Sequence, residues 1–215
     1  AWAARQQKKK TIGISHQYAF QYHIPRAGTD PVSEAVMRNF APVDIGIGLH
    51  WHHFDQPILP PVIETPIIAQ QIQRNKVVIY LPFEDQQQVM KLLSPFKEFE
   101  FFIYSPENVT SPYAHIHCKP LSLHGFQKDL SDCTGIICNA GFELASESLQ
   151  LGKNILVKPV HAQMEQTSNA AALQLLGYGK MMHSVDAKII EQWLYESKAI
   201  QVTYPNTAKY LVQWI

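Results

Sequence analysis

From residue 76 onward, short apolar runs alternate with stretches that carry apolar residues at helical spacing. "KVVIYLP", "FEFFIYS", "TGIIC" and "NILVKP" are rich in β-branched and aromatic residues, the pattern of strands covered on both faces. "AHIHCKP" reads as a further short strand. Between them "EDQQQVMKLLSPF", "LHGFQKDLSDC", "GFELASESLQLGK" and "EQTSNAAALQLLG" read as helices, and "DAKIIEQWLYES" and "TAKYLVQWI" as two more. Strands and helices joined by short links predict an α/β fold, a Rossmann-type doubly wound parallel sheet. In such sheets ligands bind at the carboxyl ends of the strands.

The first part of the chain is less regular. "TIGIS" (11–15) reads as a buried strand ending in the polar loop "HQYAF", "PVSEAVMRNFAP" (31–42) as a helix, and "VDIGIGLHW" (43–51) as an alternating strand. "FDQPILPPVIETPI" (54–67) holds Pro57, Pro60, Pro61 and Pro66, a density that excludes a regular helix and suits a stiff connector. The expected division is therefore 1–53 as the tail of a first Rossmann-type domain, 54–75 as linker, and 76–215 as the ligand-binding domain. A start at Ala1, partway into a domain pattern, reads as a piece of a longer protein.

Composition narrows the function classes. At 215 residues, 46% hydrophobic and 17% charged, the chain is globular and not disordered. A net charge of zero gives no bulk electrostatic case for nucleic acid. The cysteines Cys118, Cys133 and Cys138 form an odd set without CxxC, which points to a reducing, cytoplasmic setting. No apolar run is long enough to span a bilayer, and no signal-peptide pattern is visible.

The chemistry concentrates in "IICNAGFELASESLQLGKNILVKP" (136–159). A strand feeding a glycine turn at a helix N-terminus is an anion cradle, because free backbone amides and the positive helix end meet there. This helix has no lysine of the GK[ST] kind but carries Glu143 and Glu147, four apart and so on one face. An anion site beside a carboxylate suits a nucleotide diphosphate, with the diphosphate on the amides and one glutamate accepting the ribose hydroxyls. First-turn acids are also favoured by the helix dipole alone. "LHWHHFD" (49–55) offers His50, His52, His53 and Asp55, but strand alternation would put His53 opposite His50 and His52, and zinc needs three or four converging ligands. Histidines lining a cleft fit better, and no metal site is expected.

The longer stretch "NAGFELASESLQLGKNILVKPVHAQMEQTSNA" resembles the donor-binding signature of the GT-B glycosyltransferase superfamily. It looks like the plant UDP-glycosyltransferase box and the same region of the N-acetylglucosaminyltransferase that makes lipid II. Glycine, glutamate, proline and Glu-Gln keep their order and spacing across a match running from about Lys76 to Ser197. The resemblance implies transfer of a sugar from a nucleotide diphosphate sugar, UDP-linked, to a glycan or lipid-linked acceptor, with no cofactor and no bound metal. It gives Gly141 and Phe142 the diphosphate through their amides, Glu147 the ribose, and Glu165 and Gln166 the sugar hydroxyls. His161 and Gln163 would line the same loop, and Lys119, Pro120 and Leu121 would hold the base. Asn139 and Glu143 stand where plant enzymes have histidine and asparagine. His16, at the end of "TIGIS", would face acceptor space as the candidate base, a role suited to a group titrating near neutrality; a loop histidine bonding backbone is the plainer reading. A peripheral contact with the inner membrane face would run through the region preceding Ala1. A UDP-sugar 2-epimerase of the same fold and a non-catalytic nucleotide-sugar-binding domain are the alternatives.

Overall fold

The computed structural model describes residues 1–28, 31–64 and 69–214. The chain opens with α1 (Trp2–Gln6), β1 (Ile12–Ser15), a 3-10 helix (His16–Gln21), α2 (Pro31–Asn39) and β2 (Ile45–Gly48). β1 and β2 pair in parallel, Ile12 opposite Ile45 and Ser15 opposite Gly48. Gly48 allows the 3-10 helix to lie on this pair, since a Cβ there would come within 2.7 Å of the Ala19 Cα. That contact fixes where the chain leaves β1, and with it the place of His16.

The second sheet holds β3 (Lys76–Tyr80), β4 (Glu100–Ser105), β5 (Ile116–Pro120), β6 (Gly135–Cys138), β7 (Asn154–Val157) and β8 (Lys180–Met181). Its order is β5-β4-β3-β6-β7-β8 and every pairing is parallel. α3 (Gln86–Leu93), α4 (Leu123–Asp132), α5 (Phe142–Gln150) and α6 (Met164–Leu175) are the crossovers, followed by α7 (Ala187–Glu196) and α8 (Thr207–Trp214). Three of these helices, α3, α4 and α7, begin at polar residues that satisfy first-turn amides: Asp85 accepts from Gln87 and Gln88, Ser122 from Gly125, and Asp186 from Lys188 and Ile189.

Alternate residues of the central strands feed two cores. Val78, Ile136, Cys138 and Val157 pack against Ala145 and Leu149 of α5 and Leu173 of α6. Val77, Ile79, Ile137 and Leu156 pack on the other face against Val89 and Leu93 of α3 and Trp193 of α7. Each such aliphatic side chain contributes about 1.5–3 kcal/mol as an upper estimate, so the sheet is the stable base on which the loops stand. At its amino end the buried Lys76 ammonium meets Asp129 at 2.8 Å and Asp132, while the Tyr104 hydroxyl donates to Asp129 at 2.6 Å. A buried cation satisfied in this way is expensive to unpair.

One expectation from the sequence meets a different outcome. β2 ends at Gly48, and the "LHWHHFD" segment turns through Phe54 and Asp55, both at positive φ (50° and 55°). The His52 and His53 rings therefore stack at 4.7 Å instead of facing opposite ways. Part of the proline-rich connector, Pro66 included, lies outside the described residues.

Candidate functional site

The strand order reverses between β3 and β6, and the crevice at that switch point is where a doubly wound sheet binds its ligand. Asn139 ties the strand ends together there. Its amide nitrogen donates to the Tyr80 carbonyl (3.3 Å), and its side-chain Nδ2 donates to the Lys158 carbonyl (2.8 Å), while Oδ1 is buried with no partner among the described residues. Gly141 is the N-cap of α5, with ordinary φ of −70° and nothing within 4 Å of where a Cβ would stand. The helix thus opens into free space. The Gly141 amide itself departs from expectation: it turns inward to the Asn139 carbonyl (2.8 Å). The amides left for an anion are those of the first turn of α5, from Phe142 onward, which have no preceding helical carbonyl to bond.

A cleft of about 820 Å³ lies at this helix end, lined by His16, Leu49, Gly141, Phe142, Glu143 and Glu165, with Leu211 and Val212 of α8 completing the wall. Glu147 sits one turn further along α5, half-buried, outside that lining. Burial raises its carboxyl above the usual range, and the neighbouring Glu143 and Glu64 carboxylates push the same way. Glu165 reaches solvent, yet the cleft atoms around it desolvate it enough to raise its carboxyl too, with Glu143 adding repulsion. Among the described residues neither glutamate has a cationic partner. Lys158, which follows β7, is paired with Glu84.

The remaining expected residues separate into groups. Gln166 is anchored, its Oε1 accepting from the Val160 amide at 2.9 Å. His161 and Gln163 are exposed and do not line the cleft. Lys119, Pro120 and Leu121 line a distinct cavity of about 370 Å³ at the carboxyl ends of β4 and β5, together with Ser105 and Asn108. His16 does line the cleft, but it is only 6% exposed and stacks flat on Phe142, ring centroids 3.9 Å apart. Its Nδ1 lies 2.9 Å from the Leu49 carbonyl and its Nε2 lies 2.7 Å from Asn169 Oδ1. Burial lowers its pKa against both bonds. Both ring nitrogens face protein acceptors, so in this arrangement His16 offers no free lone pair to an acceptor hydroxyl.

Three participants escaped the sequence reading. Trp51 Nε1 donates to Ser146 Oγ (2.8 Å), which donates to the Phe142 carbonyl (2.7 Å), bracing the first turn of α5. Asn169 Nδ2 donates to the Ala140 carbonyl (3.0 Å). Only the "NA" pair closing the signature marked Asn169, and nothing local marks Trp51. His50 is buried with Nδ1 accepting from the Trp51 amide, and burial lowers its pKa to about 3. Among the described residues no group of three or more His, Cys, Asp or Glu side chains could hold a metal ion.

A six-stranded parallel sheet with its crevice at the β3/β6 switch point, preceded by a second parallel pair, defines the GT-B glycosyltransferase fold. The glycosyl transferase family 1 model matches residues 51–197, and the chain belongs to that family. No curated protein matches the sequence. Among solved structures, the glycosyltransferase SnogD from Streptomyces nogalater is 16% identical with a TM-score of 0.50, covering 99% of this chain and 75% of that one. The glycosyltransferase of kitacinnamycin is 12% identical with a TM-score of 0.58, covering 90% and 63%. The spinosyn rhamnosyltransferase SpnG, in its complex with spinosyn aglycone, is 16% identical with a TM-score of 0.57, covering 89% and 59%. At these identities the likeness is one of fold, and the chain spans well under the whole length of each.

Proposed function

We propose that this chain carries the donor site of a glycosyltransferase, binding a nucleotide diphosphate sugar, UDP-linked, for transfer to a glycan or lipid-linked acceptor. The observation that carries the reading is the first two turns of α5. Its opening amides face a cleft, and Glu147, one turn on, is a half-buried carboxylate with no protein cation among the described residues. A desolvated acid left without a cation suits hydroxyl donors, and the two ribose hydroxyls are such donors. The amides and the positive helix end stabilise the diphosphate, most when charge builds on it as the sugar departs. Glu165, on the cleft wall, reads the sugar hydroxyls, with Gln166 beside it on α6. The cavity beside Lys119–Leu121 takes the base.

Titration calorimetry of the chain with UDP and with a UDP-sugar tests this. A carboxylate receiving ribose hydroxyls makes charge-assisted bonds of about 1.5–3 kcal/mol each, so Glu147→Gln should weaken UDP about tenfold or more. Glu165→Ala should leave UDP unchanged and weaken the UDP-sugar. No UDP binding at millimolar concentration, or equal affinity in Glu147→Gln, would overturn the assignment.

A further inference from the structure

We infer that Asn169 is a positioning residue of the donor site, fixing the Ala140–Gly141 peptide that aims α5 into the cleft and coupling that peptide to the acceptor side through His16. The inference rests on the donor reading above. One peptide unit contributes both the Ala140 carbonyl and the Gly141 amide. The carbonyl accepts from Asn169 Nδ2 at 3.0 Å, and the amide donates to the Asn139 carbonyl at 2.8 Å. With both ends of the unit bonded, its plane cannot rotate about the adjoining single bonds. Gly141 is the residue most prone to such rotation, having no side chain and nothing packed where one would be.

The orientation of Asn169 is set in turn. A carbonyl only accepts, so the Asn169 nitrogen must face Ala140, which leaves Oδ1 toward His16. That oxygen also only accepts, as does the Leu49 carbonyl facing Nδ1, so the neutral ring donates to one of them at a time and bonds Asn169 when its proton is on Nε2. The ring carrying it stacks on Phe142 (centroids 3.9 Å) and also contacts His50 (5.2 Å) and Phe20 (5.3 Å). Asn169 is 1% exposed, on the buried side of α6, so no water substitutes for these partners. A shift of the loop after β1 would be felt at His16, then at the Asn169 amide, then at the peptide that opens the anion site. The path is short and every link is a contact in hand.

Two substitutions at Asn169 and two at His16 test the arrangement in the full chain, with UDP and uridine as probes. Asn169→Ala removes both arms without adding charge, and Asn169→Asp keeps an acceptor for His16 but no donor for Ala140. Both should weaken UDP by about tenfold while leaving uridine, which has no diphosphate, unchanged. His16→Ala should weaken UDP less, and His16→Gln, which supplies an amide N–H to Asn169, should restore part of the loss. In Asn169→Asp the new carboxylate should hold the imidazole charged at a pH where the wild-type ring is neutral, read from its nitrogen shifts. UDP affinity unchanged in both Asn169 variants would overturn the positioning role while leaving the donor reading intact, as would UDP and uridine falling by the same factor. An unaltered His16 titration in Asn169→Asp would overturn the coupling. A wild-type chain that binds no UDP would remove the donor reading and this inference with it.

Discussion

Gly141 has a backbone conformation open to any L-residue and empty space where a side chain would go, so the fold makes no demand for glycine there. Alanine at a compatible position usually adds about 0.4–1 kcal/mol by restricting the unfolded chain. Alanine is also a poor helix N-cap, which offsets that gain, so Gly141→Ala should leave urea melts little changed and still weaken UDP in calorimetry, because its methyl occupies the approach to the α5 amides. At Glu147 stability and binding conflict. Its carboxyl is raised in the folded chain, so ionising it costs stability, a penalty absent at low pH that appears as pH rises through the folded pKa. Glu147→Gln should raise the melting temperature by about 1–2 °C at pH 7 and not at pH 4, while UDP affinity falls. A stabilising change that removes binding marks a residue retained for its ligand. Glu147 and Glu165 were legible because their chemistry is in their type and their spacing from Gly141. Asn169 was not, since its partners Ala140 and His16 lie far off in sequence and only folding brings them together.

At the scale of elements, periodicity announced the strands and crossovers of the six-stranded sheet, because buried parallel strands and amphipathic helices write opposite patterns. It could not announce the turn at "LHWHHFD", where positive φ at Phe54 and Asp55 overrides apparent alternation. Nor could it place α8 against the cleft, since an amphipathic helix reads the same whichever surface it covers. The turn matters because it delivers His50 and Trp51 to α5. A buried histidine with a lowered pKa contributes stability that is present above its ordinary 6.5 and is lost as pH falls, since the unfolded chain takes up the proton first. With the folded value near 3, His50 alone should cost about 1–2 kcal/mol between pH 6.5 and pH 5. In His50→Asn the wild-type drop in unfolding free energy over that interval should shrink by this amount. An equal drop in both proteins would mean that His50 is already charged in the folded state.

The whole molecule carries no net charge, so no long-range field draws a dianionic nucleotide in or keeps it out. Locally the balance is acidic: Glu143 and Glu165 line the cleft, Glu147 and Glu64 stand close to Glu143 or to each other, and among the described residues no lysine or arginine is in the lining. Phosphate sites built on basic side chains lose affinity as salt screens them. A site built on helix amides, with carboxylates kept for hydroxyls, should respond the opposite way. Salt shortens the screening length from about 30 Å at 0.01 M to about 10 Å at 0.1 M, which weakens repulsion from the outlying carboxylates. Amide contacts at hydrogen-bond distance are hardly screened. UDP affinity measured by calorimetry from about 20 mM to about 300 mM sodium chloride should therefore stay level or rise slightly. Uridine, which has no charge to repel, should bind independently of salt over the same range. A marked fall in UDP affinity with salt would mean that a cation reaches the diphosphate after all, and Lys158, released from Glu84, is the first to test, since its carbonyl bonds Asn139 at the start of the turn. Lys158→Met would then abolish the salt dependence, whereas with the amide site intact it should leave the flat profile as it was.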